Sequence, residues 1–427
     1  MLDLLVVGTG LSGLIAAHTA AKEGQQVRVI SKGLGALHWS AGTIDLLGYT
    51  GSGHTEQVRR PLEVMPKFLE EHPGHPFAHL QPDFIAEGLS NFAALTGTLG
   101  LPYAGAENGQ DNLFLPSPAG AARPTFLAPL AQMAGDLGRS EPMLIVGFEG
   151  MRDFYPYLIA ENLAKLGQQT RAVIMPMDLV TARHDANTVQ LAEELDDGDR
   201  RQELGRQLKG IVQPGERIGL PAILGLNAHG AVMRDLQELC AVPIFEIPTL
   251  PPSVPGIRLF GALRDSLISM GVRVEPGMEV IEAQKKAPQN GSAGAIGWMA
   301  SKTPGRPLKH RAEKFLLATG GILGGGFDSD MNGRVWEVIL DLPLSVPQDR
   351  SEWFESRFLS EDGHPVFTGG VMVDDNFQPV TNDGKLVFEN LWSAGHMLAG
   401  ADPIVERTVE GIAILSGMAA GKAIAAQ

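Results

Sequence analysis

Short apolar runs and a helical stretch alternate at the start of the chain. Residues 3–7 form an apolar run that predicts a buried strand, and residues 14–21 have a helix-forming composition that stops at Gly24. Residues 27–30, which are Val-Arg-Val-Ile, predict another buried strand. Strand, helix and strand together span roughly 30 residues, the length that one βαβ unit needs. This segment therefore predicts the opening of a parallel sheet.

The middle of the chain mixes predicted helices and strands. The pattern predicts helices over residues 83–99, 151–166 and 258–270, a charged helical stretch over 185–207, and strands over 170–176, 272–275 and 279–283. The segment PTLPPSVPGIRL is rich in proline and marks a domain crossing.

The last third of the chain returns to the first domain. FLLATGG at 315–321 is an apolar strand that ends in a glycine pair, and LWSAGHMLAGADPI precedes a long helix predicted over 406–426. We therefore predict that residues 1–110 and 255–427 form one domain, into which residues 111–254 are inserted.

Composition narrows the possible functions. The chain has 427 residues, and its net charge of -15 disfavours nucleic acid or an anionic membrane as a direct partner, although a small anionic substrate needs only a few local arginines. Its lone cysteine, Cys240, excludes an intrachain disulfide and a cysteine-ligated iron–sulfur cluster within this chain. We predict no metal site, no direct membrane insertion and, because the first residues lack a basic n-region, a cytoplasmic location.

The first strand and helix flank the motif Gly8-Thr9-Gly10-Leu11-Ser12-Gly13. In a dinucleotide fold the first glycine permits a tight turn, the second lets a pyrophosphate approach the backbone, and the third lets the helix pack on the strand. The N–H groups of the following helix then face the phosphates. We predict that these residues bind a dinucleotide.

The position that usually carries a ribose-binding carboxylate holds Ser31 and Lys32 instead. One hypothesis is NADP, with Lys32 on a 2′-phosphate. The other is a flavin, with Ser31 on the ribose and Lys32 near the phosphates. The small and polar residues that follow favour the flavin, because its ring needs backbone donors close to its plane; the predicted contacts there are Gly33, His38, Ser40, Ala41, Gly42 and Thr43.

The chain resembles the B subunits of the anaerobic glycerol-3-phosphate dehydrogenases, within the wider fumarate reductase and succinate dehydrogenase flavoprotein group. The resemblance rests on VVGTGLSGLIAA, SKGLGALHWSAGTIDLLG, PTLPPSVPGIRLFGAL, FLLATGGILGGGF and LWSAGHMLAGADPI, which together span nearly the whole chain. It implies an α/β fold: a Rossmann-like FAD-binding domain of the glutathione-reductase type with an inserted α+β cap domain.

The resemblance also implies a reaction and partners. The reaction is oxidation of sn-glycerol 3-phosphate to dihydroxyacetone phosphate. The partners are a catalytic flavoprotein, the A subunit, and a membrane-bound iron–sulfur subunit that passes electrons to quinone. This would place the chain in the cytoplasm, peripheral to the inner membrane through a partner. The family's B subunits are described with FMN, but we predict FAD, because FMN has no pyrophosphate to occupy the glycine turn. Further predicted cofactor residues are Val280, Thr319, Gly320, Gly370, Gly395, His396, Asp402, Pro403 and Ile404.

Oxidation of a secondary alcohol by a flavin needs a hydride acceptor, a base and cations for the phosphate. We predict His396 as the base, since Ala394-Gly395 carries it to the end of a strand, and His364 as the second candidate. The spacing of His364 before Gly369-Gly370 is one residue longer than the group's pattern. The candidates for the anion are Arg407, then Arg334 and Arg350.

Two other functions remain open at this point. One is a flavin-bearing accessory protein that relays electrons without turnover of its own, which the imperfect match at His364 favours. The other is a fumarate-reductase-like or amino-acid-oxidising enzyme. Covalent attachment of the flavin through His38 is disfavoured, because the neighbours of His38 do not match the covalent signature.

Overall fold

The computed structural model describes residues 2–50, 56–183, 185–288, 293–358, 360 and 363–427. The chain divides into two compact units. The first unit comprises Met1–Ala36, Asp45–Phe92 and Leu263–Gln427, and the second comprises Leu37–Ile44 and Ala93–Ala262.

The helices are α1 (Leu11–Lys22), α2 (Pro61–Glu71), α3 (Pro82–Thr98), α4 (Leu130–Met133), α5 (Pro156–Lys165), α6 (Thr188–Leu195), α7 (Gly198–Ile211), α8 (His229–Cys240), α9 (Val254–Ser269), α10 (Gly321–Gly324) and α11 (Val409–Ala426). The strands are β1 (Leu2–Val7), β2 (Val27–Ser31), β3 (Tyr49–Thr50), β4 (Glu56–Gln57), β5 (Tyr103–Ala104), β6 (Leu113–Pro116), β7 (Ala122–Thr125), β8 (Ala128–Pro129), β9 (Met143–Phe148), β10 (Thr170–Met175), β11 (Arg217–Pro221), β12 (Ile244–Ile247), β13 (Arg273–Pro276), β14 (Val280–Lys286), β15 (Ala295–Ser301), β16 (Leu308–His310), β17 (Ala312–Leu317), β18 (Phe327–Ser329), β19 (Val335–Glu337), β20 (Leu344–Ser345), β21 (Gly370–Val371) and β22 (Leu391–Ser393).

A five-stranded parallel sheet organises the first unit, in the order β13-β2-β1-β17-β22. The strand β1 lies at its centre, with Leu5 opposite both Arg28 and Phe315. Its residues from Leu4 to Val7 are almost completely buried, as expected for a parallel strand covered on both faces. From β1 the chain proceeds to β2 and β13 on one side, whereas β17 and β22 lie on the other. The carboxyl ends of β1 and β17 thus flank a topological switch point, where such sheets bind ligands.

The helices α1 and α11 pack closely through two glycines of α11. A methyl group at Gly417 would lie 2.6 Å from the carbonyl oxygen of Ser12, and one at Gly421 would lie 2.9 Å from that of Ala16. Among the described residues, α11 is the one helix long and apolar enough to cross a membrane by length and composition, and more than half of it is buried inside the protein. Its apolar character is accounted for by this position in the core.

The second unit contains its own parallel sheet, in the order β10-β9-β11-β12. Its core includes Leu144, Val146, Ile218 and Leu220, all fully buried. Antiparallel pairs β5-β8 and β6-β7 complete the unit. The α+β description expected for the inserted region is therefore wrong: parallel strands joined through helices make it an α/β unit with added hairpins.

Several boundaries differ from the sequence expectation. The charged helical stretch predicted over 185–207 contains two helices, α6 and α7, because the side chain of Asp197 caps a new start by accepting from the N–H groups of Asp199 and Arg200. The helix predicted over 151–166 begins only at Pro156. The two units divide after Phe92 and Ala262 rather than at 110 and 254, and the short segment Leu37–Ile44 belongs to the second unit.

The helix contact gives a stability prediction. Changing Gly417→Ala should lower the free energy of unfolding by about 1–3 kcal/mol, because the added methyl meets rigid backbone. The matched control is Gly210→Ala in α7, where a methyl meets nothing within 4 Å; it should stabilise by about 0.5–1 kcal/mol through helix propensity. Chemical denaturation of both variants measures this, and equal stabilisation by the two would disprove the tight contact.

Candidate functional site

The glycine motif between β1 and α1 forms a turn that admits no side chain at two of its three glycines. Gly8 has φ 126°, and a methyl there would overlap the carbonyl oxygen of Ala318 at the end of β17. A methyl at Gly13 would overlap the carbonyl oxygen of Gly8. A methyl at Gly10, by contrast, meets nothing within 4 Å. The turn is thus packed tightly on the sheet and open at Gly10.

This open turn fits a diphosphate. Gly10 is the residue that caps α1, and among the described residues no side chain caps the helix N-terminus. Leu11 and Ser12 begin the helix and are buried, so the N-terminal amides of α1 are held in fixed positions. Uncapped amides together with the positive end of the helix dipole make an anion site.

A cleft lies at the carboxyl edge of the same sheet. It is lined by Gly320, Ile322, Leu323, Phe367, Gly369, His396, Asp402, Pro403 and Ile404. Gly320 follows β17 and His396 follows β22, so the two parallel strands bring these residues together. Four residues predicted from sequence to contact the cofactor, besides His396, are in this lining: Gly320, Asp402, Pro403 and Ile404.

Glycine also shapes the wall that carries His396. Gly395 has φ 81°, its N–H donates to the Ser416 hydroxyl at 2.9 Å, and a methyl on it would overlap the Ser12 hydroxyl. A methyl at Gly321 would lie 2.5 Å from the carbonyl oxygen of His396. The strand end, α1 and α10 therefore approach closely enough to fix the backbone of His396.

The imidazole of His396 is the polar group of the cleft that remains available. Its Nε2 is buried and has no hydrogen-bond partner within the described residues. Burial lowers the pKa of His396 to about 4, since the charged form would lose its hydration. At neutral pH the ring is uncharged and can accept a proton.

The turn at residues 402–408 forms one wall of the cleft and is held by a buried carboxylate that sequence reasoning missed. Glu406 accepts hydrogen bonds from the Asp402 N–H at 3.1 Å and from the Thr408 hydroxyl at 3.1 Å. His75 contacts it at 3.2 Å through Nε2, and because His75 Nδ1 accepts from the Phe77 N–H, the ring proton lies on Nε2. The sequence around Glu406 does not reveal this role, because its partner His75 lies 331 positions away in sequence.

A family model described as an FAD binding domain matches residues 3–408. A protein of Halobacterium salinarum (strain R1), named as a probable B subunit of anaerobic glycerol-3-phosphate dehydrogenase, is 31% identical over 437 residues, which cover 99% of this chain and 97% of that one. The chain belongs to this family of FAD-binding flavoproteins. FAD is its cofactor, and it is a flavin-linked oxidoreductase.

Two further comparisons also match over the whole length of the chain. The B subunit of anaerobic glycerol-3-phosphate dehydrogenase from Aliivibrio fischeri (strain MJ11) is 29% identical over 443 residues, covering 100% of this chain and 95% of the relative. Among solved structures, the 3-ketosteroid delta1-dehydrogenase of Sterolibacterium denitrificans is similar with a TM-score of 0.45 and 11% identity, over 100% of this chain and 99% of that chain. At that TM-score the likeness carries no functional information.

The central part of the loop predicted to approach the flavin, Leu37–Ile44, lies in the second unit. Within that unit, the Tyr103 hydroxyl donates to the Gly42 carbonyl at 2.6 Å, and the Gln132 amide donates to the Ala41 carbonyl at 2.9 Å. A methyl at Gly42 would lie 2.5 Å from Pro255, and one at Gly256 would overlap the Leu37 carbonyl. The motifs ALHWSAGTIDLL and PTLPPSVPGIRL, distant in sequence, are therefore in contact.

The other residues predicted in this loop are placed as follows. The carbonyl of His38 accepts from the Ser253 N–H at 2.8 Å, and its ring lies 5.2 Å from that of Phe260. The Ser40 hydroxyl accepts from the Gly42 N–H at 3.1 Å, and Thr43 is buried. Their contact with the flavin stays a prediction.

Three more predicted cofactor residues lie in the first unit, outside the cleft lining. Val280 begins β14 opposite Ser301, Thr319 follows β17 with its hydroxyl 3.8 Å from the sulfur of Met397, and Gly370 lies in β21, where a methyl would clash with the backbone of Leu398. Within the described residues no cluster of three His, Cys, Asp or Glu side chains could hold a metal ion.

The predicted catalytic residues other than His396 are not in the lining. His364 is bound within its own loop, where Nδ1 accepts from the Glu355 N–H at 3.1 Å and Nε2 lies 3.0 Å from the Phe358 carbonyl. Arg407, with a left-handed φ of 56°, pairs with buried Asp45 at 2.8 Å.

The remaining two arginines are exposed. Arg334 pairs with Asp341 at 3.1 Å, and Arg350 donates to the Met331 carbonyl at 3.1 Å. The structure therefore joins His396 to the predicted cofactor residues and leaves the predicted cations apart from them.

The lowered pKa of His396 predicts a pH dependence of stability. Above pH 6.5 neither folded nor unfolded chain protonates this ring; as the pH falls toward 4, only the unfolded chain takes up the proton, so stability falls. Between pH 7 and pH 5 this loss amounts to up to about 2 kcal/mol. In His396→Asn the loss should be smaller by that amount in urea denaturation. The same pH slope in His396→Asn and the unsubstituted chain would contradict this assignment.

Proposed function

We propose that this chain is the FAD-bearing component of a complex that oxidises sn-glycerol 3-phosphate to dihydroxyacetone phosphate and passes the electrons to a quinone through partner chains. The observation that supports it most is the uncharged, unpartnered Nε2 of His396, within the described residues, at the edge of the sheet that carries the dinucleotide turn. The names of the relatives supply the substrate and the assembly.

The chemistry assigns a role to His396. When bound, FAD accepts a hydride from the carbon that bears the hydroxyl group. In this proposal the neutral ring of His396 accepts the hydroxyl proton at Nε2. Because burial disfavours the imidazolium, the ring is a weaker base than a free imidazole and releases the proton easily. Asp402 also lines the cleft and stays fixed through the Val405 N–H at 3.2 Å.

Arg407 is the group proposed to attract the phosphate. Its guanidinium uses Nε and Nη2 to hold the carboxylate of Asp45. A planar guanidinium can bind a further acceptor with the N–H groups that point away from such a pair. Arg334 and Arg350 remain weaker candidates, because both are exposed and serve local contacts.

The proposed assembly follows the names of the relatives, which are B subunits. The partners would be the catalytic flavoprotein, or A subunit, and a membrane-bound iron–sulfur protein; one cysteine in this chain leaves the clusters to a partner. We place the complex on the cytoplasmic side of the inner membrane. The second unit, residues Ala93–Ala262 with Leu37–Ile44, is proposed as the cap domain that the resemblance implies.

A second candidate function is electron relay without turnover of glycerol 3-phosphate by this chain. It is favoured by the cleft itself: among the described residues, the lining contains no lysine or arginine and is mostly apolar. A phosphate that carries nearly two negative charges is costly to bind without cations. In this case the catalytic flavoprotein partner oxidises the substrate and the FAD of this chain passes electrons on.

Anaerobic reduction distinguishes the two functions. If the chain turns over its own substrate, glycerol 3-phosphate should bleach the visible flavin absorbance of the isolated FAD-loaded chain, and His396→Asn should slow the bleaching at least about a hundredfold. Succinate and aspartate test the fumarate-reductase-like and amino-acid-oxidising alternatives in the same assay. Bleaching only after addition of the partner chains would reject turnover by this chain and support relay.

Arg407 gives a separate prediction for the isolated chain. Arg407→Gln should raise KM for glycerol 3-phosphate by about tenfold to a hundredfold with a smaller change in kcat, because a charged hydrogen bond to phosphate is lost in ground state and transition state alike. Arg334→Gln, at an exposed ion pair and a weaker candidate for the phosphate, should raise KM much less. Equal effects of the two variants would remove Arg407 from the proposed phosphate site.

A further inference from the structure

The end of β2 lacks the acid that dinucleotide-binding folds place there. In such folds a carboxylate about 20 residues after the glycine turn accepts a hydrogen bond from the ribose 2′-hydroxyl. Here the corresponding residues are Ser31 and Lys32. A lysine ammonium cannot accept a hydrogen bond, and a serine hydroxyl is a weaker acceptor than a carboxylate, so an ionised acceptor would have to come from elsewhere in the chain.

The hydroxyl proton of Ser31 is already used within the chain. It is buried, and its hydroxyl donates to the Gly33 carbonyl at 2.6 Å. The Thr9 hydroxyl lies 2.9 Å from it and 2.9 Å from the same carbonyl. These contacts use Ser31 to close the β2 turn against the glycine motif.

A carboxylate reaches the same place from the neighbouring strand. β13 lies beside β2 with Pro276 opposite Ser31, and the chain then turns so that the Met278 N–H donates to the Ser31 carbonyl at 2.7 Å. The next residue, Glu279, extends its side chain to Lys32, with Oε1 2.8 Å from Nζ. Glu279 is thus the acid beside the position where β2 has none.

The backbone around Glu279 is fixed on both sides. Its carbonyl accepts from the Lys302 N–H at 2.7 Å. On the other side, the sulfur of Met278 accepts from the Ser301 hydroxyl at 3.6 Å, and that hydroxyl lies 2.8 Å from Nε2 of buried His310. Holding an acceptor in place before the ligand arrives reduces the entropy lost on binding.

The charge of Glu279 suits the role. The hydrogen bond from Lys32 lowers the pKa of Glu279, so it is an ionised acceptor at neutral pH. In return, the pair removes the free positive charge that a 2′-phosphate would need. Lys32 therefore gives no support to the NADP hypothesis and instead orients a carboxylate.

We propose that Glu279 binds the adenosine half of FAD by accepting a hydrogen bond from the ribose 2′-hydroxyl, with Lys32 as its positioning residue. The role belongs to this chain's FAD site and is independent of whether glycerol 3-phosphate is oxidised here. It also makes the site selective for FAD over FMN, which has no adenosine.

Ligand competition tests the proposal without any turnover. ADP and 2′-deoxy-ADP would be titrated against FAD, following the flavin fluorescence. The unsubstituted chain should bind ADP about tenfold more tightly than 2′-deoxy-ADP, and in Glu279→Ala the two should bind equally. Glu279→Gln, which keeps a neutral acceptor, should fall between them, and FAD affinity should fall in the same order.

The control is Glu282→Ala, because Glu282 is an exposed acid on β14, the strand that begins directly after Glu279. It should retain the full preference for ADP over 2′-deoxy-ADP. If Glu279→Ala keeps that preference, or if the unsubstituted chain shows none, the proposal is wrong. Loss of FAD and FMN binding by the same factor in Glu279→Gln would likewise overturn it, because a general disturbance of the fold would not spare FMN.

Discussion

The close approach of backbone to backbone at the carboxyl edge of the first-unit sheet is the constraint on which the site depends. Gly8 must touch Ala318 for the turn of β1 to meet the end of β17, and Gly395 must leave room for Ser12 where α1 begins. At these two contacts the absence of a Cβ atom lets two turns and a helix converge. An alanine would not remove a ligand contact; it would separate the elements that create the site.

The same edge concentrates buried polar groups whose state is set by their surroundings. Glu406 is buried but accepts three hydrogen bonds, which offset the loss of hydration and keep the 402–408 turn in one shape. His396, a few residues earlier, is left without a partner at Nε2 within the described residues. The hydrogen-bonded carboxylate of Glu406 therefore stabilises the turn, whereas the imidazole of His396 stays available for a reaction. Both groups lie in the same segment of the chain.

Sequence patterns predicted the strands and the glycine turn, and they missed contacts between residues that are far apart in sequence. The strands β1, β2 and β17 could be predicted because each contains a short group of apolar residues. The glycine turn could be predicted because its spacing is the one that phosphate binding needs. The break between α6 and α7 depends on one capping aspartate, Asp197, in a stretch whose charge pattern continues across it. No periodicity reveals that β13 lies beside β2, so the pairing of Glu279 with Lys32 was invisible, as was that of His75 with Glu406.

The pairing of Arg407 bears on how the chain treats an anion. Asp45 is almost completely buried, so the guanidinium cannot leave it without exposing a charge to a poorly hydrated place. A phosphate must therefore bind to a pair whose net charge is close to zero, and it gains less than it would from a free arginine. Meanwhile the cleft at His396 offers apolar walls, which suit a flat ring system better than a phosphate dianion. These two features suit a bound flavin better than a tightly held phosphate.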